Sequence, residues 1–106
     1  MTRLNLSVFS KVTKYINALP NGEQPKIASH INSVREKDFE SAYVKMIRGP
    51  IKELIIRDRR IIFCIEQDTM YLLHAFTKKT AKTPQKDIAI SEKLYDLLIK
   101  QLAKNI

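Results

Sequence analysis

The chain of 106 residues has no tryptophan, one cysteine, two histidines and only two glycines. A lone thiol, Cys64, excludes an intrachain disulfide, and one cysteine with two histidines cannot furnish a zinc-type ligand set. Set inside "IIFCI", Ile61 to Ile65, that thiol reads as a small core filler rather than a nucleophile. The same run is the longest apolar one and far too short to span a bilayer. The opening "MTRLNLSVFSKVTK" lacks the continuous apolar segment of a leader. A cytoplasmic protein without metal or cofactor is expected, with no membrane partner. Scarce glycine also leaves no phosphate-cradling loop, and the chain holds no repeat, no paired-carboxylate spacing and no Ser-His-Asp pattern.

What is present is apolar residues at 44% and a strong positive excess: 19 basic against 11 acidic residues, net +8. The length and hydrophobic fraction predict one domain over residues 1–106 that buries its own core. The charge says nothing about fold, but it favours a polyanionic partner such as nucleic acid or an acidic protein.

Periodicity divides the chain. "RLNLSV" alternates Leu4, Leu6 and Val8 with polar residues and reads as a short strand. Val12, Tyr15, Ile16 and Leu19 recur at helical spacing until "LPNGE", which stops a helix. Ile27, Ile31 and Val34 mark a second helix with Pro25 near its start; one small sheet is not expected to bury this stripe fully. Ser41 to Arg48 shows little pattern, and Gly49-Pro50 marks a turn. Beyond it the period becomes two, in "IKELIIR", "RIIFCIEQ" and "TMYLLHAF", the last two joined by Gln67-Asp68 as a tight hairpin. Thr83-Pro84 predicts a hydroxyl-capped helix start, with Ile90, Leu94, Leu97, Leu98 and Leu102 as its apolar stripe. The order is strand, two helices, three strands, helix. That predicts an α+β fold, a small antiparallel sheet packed on helices.

Two basic clusters flank the middle strands. Arg57, Arg59 and Arg60 lie at a strand junction; Lys78, Lys79, Lys82 and Lys86 fill the connector before the last helix. In a three-stranded meander these clusters meet at one sheet edge, where several cations raise affinity for phosphate. Exposed lysines are ordinarily just solvated, and Lys86 reads that way. His74 alternates with Leu72 and Phe76, which favours a satisfied, partly buried histidine over a general base. Glu53 and Asp58 read as local partners of the arginines. Tyr43 and Tyr71 read as packing residues, with stacking on a base as the alternative.

The segments Glu53-Leu54, Arg60, Leu73-His74-Ala75-Phe76 and Lys78-Lys79-Thr80-Ala81-Lys82-Thr83-Pro84 resemble the second half of the RelE/ParE toxin superfamily. They are most similar to its HigB-like, phage-derived branch. That branch usually has arginine where Ile55 stands and an aromatic where Lys52 and Arg59 stand, so Arg57 is the nearby substitute for one missing charge. The resemblance implies a RelE-like fold and a toxin that cuts mRNA on the ribosome, by attack of a ribose 2′-hydroxyl on the neighbouring phosphate. It assigns Arg60, Lys78 and Lys79 to the transition-state charge and His74 to acid–base work. Arg57, Arg59 and Lys82 are assigned to the RNA backbone. It further implies a cognate antitoxin, often a helix-turn-helix protein, acidic where it meets this chain and docking on the lysine groove or on the helical hairpin. Two alternatives stay open: a ParE-like gyrase poison with no nuclease centre, and a phage accessory protein that only binds nucleic acid.

Overall fold

The computed structural model describes residues 3–38 and 40–104. Its elements are β1 (Asn5–Val8), α1 (Ser10–Asn17), α2 (Gln24–Arg35), β2 (Val44–Arg48), β3 (Ile51–Ile56), β4 (Arg59–Glu66), β5 (Thr69–Thr77) and α3 (Gln85–Lys104). The five strands form one sheet in the order β1-β5-β4-β3-β2. The α+β class and the β3-β4-β5 meander follow the periodicity, and two features go beyond it. The sheet is mixed, because β1 pairs parallel with β5 rather than antiparallel. A fifth strand, β2, occupies the stretch that shows little pattern. It is an edge strand with a bulge between Met46 and Arg48, so Val44 and Ile47 lean on different core clusters instead of alternating.

Turn chemistry explains the hairpins. Gly49 takes φ +51° at the β2–β3 turn, a conformation that costs glycine nothing. The two-residue turns after β3 and β4 instead place Arg57 and Gln67 at φ 57°. Each non-glycine residue there costs about 1–2 kcal/mol, which the paired strands must offset.

Both faces of the sheet are covered, and this is why β3–β5 read as nearly continuous apolar runs. On one face α1 and α2 pack Val12, Ile27, Ile31 and Val34 against Leu54, Ile56, Ile61, Phe63, Met70 and Leu72. The hairpin stripe that one sheet was not expected to cover is therefore buried. On the other face α3 covers two smaller clusters, one around Ile51, Ile62 and Phe76, the other around Cys64, Leu73 and Leu98. Cys64 is the core filler anticipated; burial pushes its thiol up to about 12. Leu97 departs from the expected stripe at 53% exposed, and Ser91 is buried in its place, its hydroxyl donating to the Asp87 carbonyl at 2.8 Å. Tyr71 packs beside Cys64 and Leu73, whereas Tyr43 stands exposed at the start of β2. No described helix is long and apolar enough to cross a membrane.

Candidate active site at the sheet edge

Strand alternation splits the arginine triplet. Arg59 pairs across from Thr77 and Arg60 from Phe76, so their side chains leave on opposite faces. Arg59 turns toward α1 and α2. Its Nε and Nη2 each donate to the Glu23 carboxylate at 3.2 Å, and Nη1 donates to Thr77 Oγ1 at 2.8 Å. Tyr15 shares that threonine hydroxyl at 2.7 Å. These bonds hold the guanidinium charge firmly, with Glu23 the largest contributor. Asp58 lies 3.7 Å away, as a local partner. Arg59 is thus committed to holding α2 against the sheet rather than open to an RNA backbone.

Arg60 goes the other way. It pairs with Glu53 of β3 (Nε to Oε2, 3.9 Å), and that carboxylate is wholly buried. Thr83 Oγ1 donates to Glu53 at 3.1 and 3.3 Å. The expected capping hydroxyl is therefore given to a buried charge, and Pro84 opens α3 with its carbonyl, which accepts from Asp87 and Ile88. Arg60 Nη1 donates to the carbonyls of Arg57 and Arg59. Nε is buried with no hydrogen bond, and Nη2 makes none to a described residue. A guanidinium held through Nη1 and paired with a buried carboxylate, with Nη2 unbonded to any described residue, is preorganised for an anion.

The connector between β5 and α3 is pinned at both ends. Lys78 N donates to the Asp58 carbonyl at 2.7 Å, and Thr83 holds Glu53. Between these anchors Lys79 and Lys82 are exposed, while Lys78 is half-buried. The two basic clusters, expected to converge in a meander, meet without Arg59: Lys78 N bonds the turn that carries Arg57, and Lys78 follows the strand paired with Arg60. Arg57 itself is exposed in that turn, and Lys86 is solvated at the start of α3.

His74 owes its position to a second bulge. Ile62 pairs with His74 and Phe63 with Leu72, so Leu73 is extra and the alternation resets. His74 consequently shares a face with Phe76, stacked at 5.7 Å, but not with Leu72. Its Nε2 meets Asp87 Oδ1 at 2.7 Å, and the side chain is 17% exposed. This pair ties β5 to the first turn of α3. Sequence pattern alone did not single out Asp87 or Thr83 for these roles. Glu53 carried a visible signal, a carboxylate in the middle of "IKELII".

The site contains five cations, Arg57, Arg60, Lys78, Lys79 and Lys82, a buried carboxylate that positions one of them, and a histidine–aspartate tie. It offers binding and charge stabilisation to a phosphodiester. Comparison with known proteins fits this picture at the level of fold. The structure is similar to the crystal structure of an archaeal RelE–RelB complex from Pyrococcus horikoshii OT3, with TM-score 0.62 and 13% identity over 76% of this chain and 100% of that one. The fold is RelE-like. A comparison with curated proteins found no match. Residues 14–96 match the family described as "Phage derived protein Gp49-like (DUF891)", a span that runs from α1 into α3 and takes in the whole basic corner. By that match the chain belongs to the phage-derived Gp49-like family.

Proposed function

We propose that this protein is the toxin of a toxin–antitoxin pair and cuts mRNA on the ribosome without a metal ion. What supports the reading most is the corner where Arg60, set on buried Glu53, meets the pinned lysine connector. In-line attack of a 2′-hydroxyl, its proton lost to water, breaks the bond from phosphorus to the next nucleotide's 5′-oxygen. That oxygen takes a proton from water, a 2′,3′-cyclic phosphate is left, and negative charge builds on the phosphorane oxygens on the way. Arg60, Lys78 and Lys79 stabilise that charge; Lys82 and Arg57 hold the backbone on either side. The His74–Asp87 pair is a positioning element that fixes the start of α3, and with it the connector. Arg59 has no part in the chemistry.

Family membership and the RelE-like fold support the antitoxin partner, since the similar archaeal protein was solved in complex with RelB. With a net charge of +8, the partner surface is acidic and association is fast and salt-sensitive. Incubation with translating ribosomes, followed by primer extension, is expected to give discrete new ends within the mRNA. Intact mRNA together with inhibited gyrase supercoiling would assign the chain to the ParE-like class instead.

A further inference from the structure

On the α2 side of the Arg57–Asp58 turn lies a cavity of about 400 Å³ that shares only Arg57 with the proposed site. Glu23, Lys26 and His30 of the α2 segment line it, together with Arg57 and three isoleucines. Its one carboxylate, Glu23, is neutralised by the two hydrogen bonds from Arg59. Asp58, next in the chain, leans to Arg59 as well. Lys26 and Arg57 form no ion pair with a described residue, so the cavity carries two unmatched positive charges. His30 adds a ring whose Nδ1 is buried without a hydrogen-bond partner. Buried nitrogens of that kind are rare, and turning the ring toward a ligand in the cavity gives this one a partner. Low-dielectric walls around unmatched cations concentrate anions.

We propose that this cavity is a second phosphodiester subsite, which holds a backbone phosphate of the RNA outside the nucleotides being cut. Lys26 and Arg57 supply the charge and His30 the hydrogen bond. The RNA crosses the β3–β4 turn to reach it from the lysine corner, because Lys78 N bonds the Asp58 carbonyl and the two sites share that turn. The identity of the anion rests on the RNA-cutting reading; the presence of an anion site does not.

The test uses the full chain and a 2′-O-methyl RNA oligonucleotide, which it cannot cleave. His30 ring resonances are followed by NMR while the RNA, or inorganic phosphate, is added. Binding is measured over a range of salt concentrations. The Lys26→Gln, Arg57→Asn pair removes both charges, and asparagine tolerates the positive φ at position 57. The expected result is a shift of His30 signals by RNA and by phosphate. The double variant is expected to bind RNA roughly 10-fold more weakly. Its salt slope falls by about 0.7 for each phosphate that it no longer neutralises. Lys100→Gln, an exposed lysine toward the far end of α3, keeps the wild-type slope. Silent His30 signals and an unchanged slope in a protein that still cuts mRNA overturn the subsite and leave the toxin reading standing. Signals that answer only to an added partner protein also overturn it, making the cavity a protein contact. If phosphate moves His30 while RNA neither binds nor is cut, the anion site holds and the RNA reading falls.

Discussion

The two faces of the sheet are built by the same three strands and do different work. Toward α1 and α2, β3–β5 present Leu54, Ile56, Ile61, Phe63, Met70 and Leu72, a continuous apolar layer edged by the Arg59–Glu23 pair. Toward α3 the same strands present Glu53, Arg60 and His74 among two small apolar clusters. Neighbours in sequence end up with opposite duties: Leu54 fills the core while Glu53 anchors an arginine. Apolar burial on the first face, about 1.5–3 kcal/mol for each large side chain, offsets the cost of desolvating charge on the second. The first face keeps its charge at the edge, in the Arg59–Glu23 pair, and its apolar interior offsets the buried charge of the second.

The largest break in this comparison should come from removing the α3-face cations. Arg60→Ala is expected to lower single-turnover mRNA cleavage by about 10²–10³-fold. The Lys78→Ala, Lys79→Ala pair should do at least as much and keep the wild-type melting temperature, since Lys79 is exposed and Lys78 only half-buried. Wild-type cleavage by that pair would move the chemistry elsewhere. Arg59→Gln, one residue from Arg60, should lower the melting temperature with the rate of the folded fraction intact.

Next come the adjacent residues of β3. Leu54→Ala should cost about 2–5 kcal/mol in urea unfolding while the folded fraction still cleaves. Glu53→Ala leaves Arg60 without its buried partner and should cost about 3–5 kcal/mol and depress the rate as well. Equal effects of the two changes on rate would erase the distinction between the faces.

A smaller effect is expected at His74. Replacing it with glutamine loosens the tie to Asp87 and should cost about 1–2 kcal/mol, with the folded fraction near wild-type rate. A collapsed rate at unchanged stability would instead make it the acid or base. The mildest probe is Cys64. Burial raises its thiol from 9.0 to about 12, so its contribution to stability is complete below 9.0 and is lost as pH climbs from there toward 12. Below that window a thiol reagent should react with it only as fast as the protein opens.

Much of this was legible in advance. The period-two runs located β3, β4 and β5, and a meander of those strands required the arginine and lysine clusters to meet. What escaped was tied to irregular pairing. An edge strand with a bulge shows no alternation, so β2 was invisible, and the bulge at Leu73 moved His74 off the face that simple alternation gave it. Thr83 looked like a helix cap because local chemistry favours one; a buried carboxylate brought across by β3 overrode that preference.

By itself the sequence determined the fold class, the burial of Cys64 and the meeting of two basic clusters, because each follows from residue type and period along the chain. Only the tertiary structure decided which face each arginine takes, which carboxylate holds it, and which cations remain unmatched. Those outcomes depend on strand register and on partners distant in sequence: Glu53 with Thr83, Glu23 with Arg59, His74 with Asp87. A one-residue slip in register exchanges the two faces, and no local pattern fixes that register until the strands pair.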